Sequence, residues 1–228
     1  MPRIMNYSSF PAVRAVCLAL AIGTVFFLCA CAAPVARIDY TAFRESRPRS
    51  ILVLPPVNRS PEIKGAASFL ATSTAPLAES GYYVIPVTLA DETLKQNGVT
   101  VAEEAHAINL EKLREIFGAD AALYVTITRF GTSYRVINSV VEAAAFSKLV
   151  CLRTGRVLWS GNVSVVLGNN YGSGNIVVML TSAVISQIAN TLIDRSYDAA
   201  RTANYQMLSA GYRDSILFGP YHPQFGTD

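Results

Sequence analysis

Histidine is almost missing from this chain, and with it most of the chemistry that histidine supports. Only His106 and His222 occur in 228 residues, alongside one tryptophan and four cysteines. A zinc site or an activated nucleophile needs such groups clustered, and neither histidine has a partner at a useful spacing. No G-x-S-x-G elbow is present, so Ser173 between two glycines is not marked as a nucleophile. The stretch Gly168 to Asn175 is glycine-rich but lacks the lysine and hydroxyl of a phosphate-binding loop, and reads as a strand-to-helix connection. Asp91-Glu92 and Glu103-Glu104 are expected at helix starts, where carboxylates favour the dipole; sequence neighbours point to different helix faces and do not make a dyad. No catalytic, cofactor-binding or metal-binding residue is assigned, and the protein is not expected to be an enzyme. Charge is scarce too, at 15% of residues, and without a basic run there is no electrostatic footprint for nucleic acid.

What is present begins at the N-terminus. Arg3 and Arg14 are the only charges in the first thirty residues, and Ala15 to Leu28 is an uncharged run of fourteen. A basic start, a short apolar stretch and small residues at its end make a secretory signal peptide. Fourteen helical residues span about 21 Å, short of the roughly 30 Å hydrocarbon core, so a permanent transmembrane helix fits less well. Leu28-Cys29-Ala30-Cys31 then matches a bacterial lipobox, with cleavage between Ala30 and Cys31 and diacylglycerol on the Cys31 sulfur. Cys29 and Cys31 are one residue apart, which does not suit a C-x-x-C redox or zinc pair. Cys17 and Cys29 leave with residues 1–30, so Cys151 remains as a lone thiol, read as a small apolar residue in a strand. Acyl chains contribute about 0.8 kcal/mol per buried CH₂, and two or more hold stably, so the mature protein is expected to reside on a membrane. Ala32 in place of aspartate favours the outer membrane, with the body facing the periplasm.

Residues 31–49 read as a lipidated N-terminus and tether, 50–204 as an α/β domain, and 205–228 as an aromatic, Gly/Pro-rich tail. Ile51 to Pro55 is a continuous apolar run, typical of a strand covered on both faces. Ala66 to Ser80 reads as a helix closed by Gly81, bent or divided by Pro76, and Tyr82 to Val87 as the next strand, giving a right-handed βαβ unit. Thr100 to Glu103 has capping-box spacing, and Leu110, Leu113, Ile116 and Phe117 form a helical stripe ending at Gly118. Ala121 to Phe130 alternates, with Leu123, Val125 and Ile127 on one side. Ser139 to Leu152 and Val157 to Leu167 flank a turn at Gly155. In the second arm Val157, Trp159, Val163, Val165 and Leu167 are expected on one face, with Ser160, Asn162 and Ser164 on the other. The fold class is thus a single α/β domain: a mixed sheet from a βαβ unit plus an antiparallel hairpin, helices packed on it, a long C-terminal helix and an irregular tail.

From Val157 to Ile193 there are 37 residues without a charge, ending in a helix expected from Ile176 to about Asn204. Val177, Leu180, Val184 and Ile188 form an apolar stripe there, suited to the core, a subunit interface or, less well, a bilayer. Phe218, Tyr221 and Phe225 punctuate the tail and are further interface candidates, since five spaced aromatics are too apolar for a solvated terminus.

Pro48 to Asn58, Leu77 to Val84, Asp91 to Gly98, Lys112 to Ala121, Gly131 to Tyr134 and Gly219-Pro220 together resemble the genome-derived neisserial antigen lipoproteins, from about Tyr40 to the C-terminus. The resemblance implies an α/β fold similar to the N-terminal domain of TolB, and company with CsgG-type lipoproteins in envelope transport or assembly. It brings no catalytic residues. The expected function is a lipid-anchored docking component of an envelope transport or secretion system. Its expected partners are the membrane, other envelope lipoproteins or transport proteins, and a second copy in a homodimer. The alternative is a binding module for peptidoglycan or for a small apolar cargo of an ABC transporter. An exposed apolar patch would favour docking, and an enclosed cavity of about 300 to 1,000 Å³ would favour cargo.

Overall fold

The apolar run at residues 51–54 is covered on both faces. In the computed structural model, which describes residues 38–134, 139–168, 182–212 and 214–228 (134, 139, 168 and 182–194 by backbone alone), Ile51 and Val53 point into one core and Leu52 and Leu54 into another. This strand, β1 (Ser50–Val53), lies parallel to β3 (Tyr83–Val84) on one side and to β4 (Ala121–Tyr134) on the other. The helix between β1 and β3, α2 (Gly65–Glu79), completes the βαβ unit. It runs unbroken through Pro76, so the proline does not divide it.

Pro55 and Pro56 have no N–H to donate, and the ladder stops there. It resumes as β2 (Val57–Asn58) one residue out of step: Val53 faces Leu123, whereas Val57 faces Thr126. Pro86 likewise ends β3 and becomes the N-cap of α3 (Val87–Gln96). Val87, expected in the strand, is therefore helical. The same shift puts Asp91 and Glu92 in mid-helix rather than at its start, where they pair with Lys95 and Gln96 one turn on. Val101 is the N-cap of α4 (Ala102–Ala107), so Thr100 lies one residue too early to cap it, while Glu103 and Glu104 do occupy the first turn. α5 (Leu110–Phe117) closes on Gly118 in the left-handed conformation.

The second half of the sheet is antiparallel: β4, β5 (Ser139–Cys151) and β6 (Val157–Gly168), giving the order β3-β1-β4-β5-β6. Gly155, at φ +70°, makes the β5–β6 turn. The expected alternation in β6 holds from Trp159 onward and fails before it. Leu149 faces Trp159 but Val150 faces Val157, so Leu158 is an extra residue, a bulge that re-aims its neighbours. Leu158 is buried and Val157 is 54% exposed, the reverse of a strict alternation.

One face of the sheet carries α2 and α6 (Ser182–Leu208) over the inward side chains of β1, β3, β4, β5 and β6, from Phe69 and Leu77 to Trp159 and Leu208. Ala199, Ala200 and Ala203 are fully buried, small enough for α6 to lie close, and the Asn204 amide donates to the Phe69 carbonyl and the Thr72 hydroxyl, both at 2.8 Å. The opposite face carries α3, α4 and α5 through Ala90, Leu94, Ala105 and Leu113, and only over β1 and the adjoining ends of β4 and β5. No helix among the described residues is long and apolar enough to cross a membrane.

The folded body starts earlier than its strands. Residues 38–49, expected in the tether, include α1 (Thr41–Ser46), whose Phe43 is 3% exposed in the core. Six residues with one large apolar side chain carry too little periodicity to announce a helix. Residues 205–208, expected in the tail, are the last turn of α6.

Candidate functional site

The tail after α6 lies across the end of the sheet where the body begins, held there by backbone and side-chain hydrogen bonds. Gly219 N–H donates to the Ser80 carbonyl at 2.8 Å, and Tyr221 N–H to the Gly81 carbonyl at 3.1 Å. The chain can come this close because both partners lack a side chain. Gly81 has φ +89°, and a Cβ there would stand 2.5 Å from His222; one on Gly219 would stand 2.3 Å from the Gly81 carbonyl oxygen. Two tyrosines clasp the tail further. Tyr40 donates its hydroxyl to the Ser215 carbonyl and Tyr82 to the Leu217 carbonyl, each at 2.5 Å. Burial raises both phenols, Tyr40 to about 12 with help from the Asp214 and Asp228 carboxylates, so both remain donors at any physiological pH. Trp159 adds an indole donor to the Asp214 carbonyl at 3.0 Å.

Between α1 and the folded tail is a cleft of about 270 Å³. Phe43, Tyr82, Leu217 and Phe218 line it with Phe225, and Arg44 and Arg47 stand at its rim. Arg44 donates to the Asp228 main-chain oxygen at 3.1 Å, and the Asp228 carboxylate accepts from Phe218 N–H at 2.6 Å, so the end of the chain closes the cleft. Phe218 stacks on His222, centroids 4.2 Å apart. A wider depression of about 610 Å³ over Thr41, Arg44, Glu45 and Arg47 is open to solvent and encloses nothing.

The structure thus joins two of the three tail candidates: Phe218 and Phe225 line the cleft, while Tyr221 projects beside it, 67% exposed. Val177 and Leu180 lie outside the described residues, as do Ala30 and Cys31; Val184 and Ile188 fall in α6, their side chains outside them. Cys151 is a free, buried thiol at the end of β5. His106 packs on α4's inner side, its Nε2 3.0 Å from the Pro55 carbonyl and its ring edge-on to Tyr124. Sequence reasoning missed Arg44, Arg47 and Tyr82. The arginines lay in the presumed tether, and only the aromatic spacing of the tail hinted that a receiving surface existed.

Residues 38–221 match the family model described as "Putative lipoprotein GNA1162-like". The chain belongs to this family. "Putative lipoprotein NMB1124/NMB1162" of Neisseria meningitidis serogroup B is 47% identical over 204 residues, 89% of this chain and 95% of that protein. The crystal structure of lipoprotein GNA1162 from Neisseria meningitidis is 50% identical and covers 63% of this chain and 99% of that one, with a TM-score of 0.52. The C-terminal domain of LpoB from Salmonella enterica is 21% identical over 51% of this chain and 82% of its own, with a TM-score of 0.39, too low to bear on function. The GNA1162-like family accordingly supports the coarse statement that this is a lipoprotein-type chain on an α/β fold.

Proposed function

We propose that this GNA1162-like protein is an outer-membrane lipoprotein facing the periplasm, a non-enzymatic docking component for other envelope lipoproteins or transport proteins, in the manner of a CsgG-type export accessory. Residues 1–30 are its signal peptide and Cys31 carries its lipid. From Cys31 to Ile38 is seven peptide steps, at most about 25 Å fully extended, so the folded body works close to the lipid surface. The observation that carries the docking role is the tail cleft. Phe218 and Phe225 shape it while Tyr212 and Tyr221 stand out around it, 70% and 67% exposed. Rigid aromatics around a recess are what a protein partner's side chain can engage. At about 270 Å³ the cleft falls below the range of small-molecule pockets, which favours a partner's protruding side chain over a whole cargo molecule.

Two measurements test this. Fatty-acid labelling should disappear in Cys31→Ser and persist in Cys29→Ser; labelling that survives Cys31→Ser removes the anchor. A photo-crosslinking residue at Tyr221 should capture envelope proteins in intact cells, and Phe225→Ala should abolish the capture without moving the melt. Capture that is unchanged by Phe225→Ala would remove the cleft from the account.

A further inference from the structure

Arginines gather at the end of the sheet where the chain enters the body. Ile38 shares a recess with Trp159 and Ser160 near the start of β6, α1 follows it, and Arg47, Arg49, Arg153 and Arg156 are all exposed close by. Sheet register brings them to one place. Arg49 directly precedes β1, Ile51 of β1 faces Ala121 of β4, and Ala121 faces Cys151, two residues before Arg153. Across that turn Arg156 pairs with Glu45 of α1. Among the described residues no carboxylate pairs with Arg47, Arg49 or Arg153. Asp120, between two of them, is turned to the chain, accepting from the Arg49 and Ser50 N–H groups at 2.8 and 3.2 Å. Further along the sheet, by contrast, Arg59 pairs with Glu103 at 3.8 Å and Arg129 with Glu142 at 3.7 Å.

We propose that this end of the body rests on the anionic phospholipid headgroups of the bilayer that anchors the chain, with Arg47, Arg49 and Arg153 on lipid phosphates. Chemistry and reach both select a lipid surface. A guanidinium fork matches phosphate oxygens, and basic groups within a Debye length of an anionic surface, about 8 to 10 Å, are drawn to it. Reach decides which end can do this. The chain from Cys31 to Ile38 extends at most about 25 Å, whereas a folded body of about 190 residues, Ile38–Asp228, is about 40 Å across. The end that carries the arginines therefore stays within reach of the headgroups, and the opposite end cannot come down to them. Held so near, the contact needs little affinity of its own. The argument from reach rests on the lipoprotein reading; the arginine cluster does not. The tail cleft, with Arg44 and Arg47 at its rim, then opens beside the headgroups, which suits partners anchored in the same membrane.

The test uses the full acylated chain, reconstituted into vesicles of phosphatidylcholine and phosphatidylglycerol that carry some lipid with a nitroxide on its headgroup. A fluorophore is placed through Val157→Cys, beside Arg156, or through Ile63→Cys, in the β2–α2 loop at the far end; the two positions are 54% and 90% exposed. Cys151 is buried, and the wild-type chain serves as the labelling blank. The label at 157 should be quenched at least about threefold more than that at 63, because about the breadth of the body separates them. Its quenching should fall by at least about half in phosphatidylcholine alone, in 1 M salt, where the Debye length is about 3 Å, and in the triple variant R47Q/R49Q/R153Q. Arg47 Nε gives one hydrogen bond, to the Arg44 carbonyl. The double variant R49Q/R153Q spares that bond and should show the same fall, in part, with an unchanged melt. Equal quenching at 157 and 63, or a signal at 157 that neither variant reduces, would overturn the proposal. So would a signal unchanged in phosphatidylcholine alone, which would leave the arginines to an acidic protein partner. A chain that fails to float with the vesicles removes the anchor and this contact together, whereas one that floats with equal quenching removes the contact and leaves the anchor standing.

Discussion

Tyr124 and Phe146 point to the same face of the same sheet and meet opposite fates. Tyr124 is 6% exposed beneath α4, with Lys148 Nζ 4.9 Å from its ring centre. Phe146, opposite Thr126 and one pair further along, is 46% exposed. The parallel half of the sheet is covered on both faces because helices must cross over to connect parallel strands. The antiparallel half needs no crossover, so among the described residues no helix covers its second face. Topology, rather than residue hydrophobicity, decides which aromatic is buried.

The deepest of these contrasts to break is on the covered face. Trp159→Ala, 2% exposed and bonded to Asp214, should cost about 3 to 5 kcal/mol in urea unfolding, while Ser160→Ala next to it should stay within about 0.5. Equal shifts would mean that the bulge at Leu158 does not set the register described. Next comes the tail. Gly219→Ala drives a methyl into the Gly81 carbonyl and should cost about 1 to 3 kcal/mol, with loss of exchange protection confined to the tail and α1. An unchanged melt would show that the tail is not held by this contact.

A smaller effect comes from pH on the helix-covered side. Burial, the first cause, lowers the His106 pKa below its ordinary 6.5, with Lys148 adding to the shift and the Pro55 and Glu103 contacts opposing it. Below pH 6.5 the unfolded chain takes up the proton before the folded one does, so stability present above pH 6.5 is lost as pH falls toward the folded value, at up to about 1.4 kcal/mol per pH unit. His106→Gln keeps a donor for the Pro55 carbonyl, and its urea midpoint should fall less between pH 7 and 5 than that of wild type. Parallel curves would exclude His106 as the source. The smallest effect belongs to the open face: Phe146→Ala should cost under about 1 kcal/mol, against about 3 for Tyr124→Ala, because half of Phe146 is already in water.

Where the pattern of residues carries the physics, the fold could be read from it. Ile51 to Leu54 announced a doubly covered strand, and the Leu123, Val125, Ile127 alternation announced its neighbour. Gly155 marked the turn. What escaped notice was structure that leaves no periodic trace. A bulge such as Leu158 moves the phase of an alternation without erasing it. α1 is one turn and a half around a single Phe43. The seam between Gly81 and Gly219 is made of backbone, and backbone has no sequence signal beyond the two glycines that permit it. Half of the cleft was legible as aromatic spacing in the tail; the arginines and Tyr82 that complete it lie 135 or more residues earlier, joined only by folding.

That seam also sets how the molecule carries force. Any pull transmitted from the N-terminal side enters at Ile38 and reaches α1 before it reaches a strand. α1 is tied to the far end of the chain by the Tyr40 hydroxyl on the Ser215 carbonyl and by Arg44 on Asp228. The tail is tied in turn to the α2–β3 junction through Ser80 and Gly81. Load from the N-terminal side therefore divides between the first helix and the last residues before any β-ladder is stretched. The C-terminus acts as a strain relief, and a chain lacking it would hang from its sheet by α1 alone.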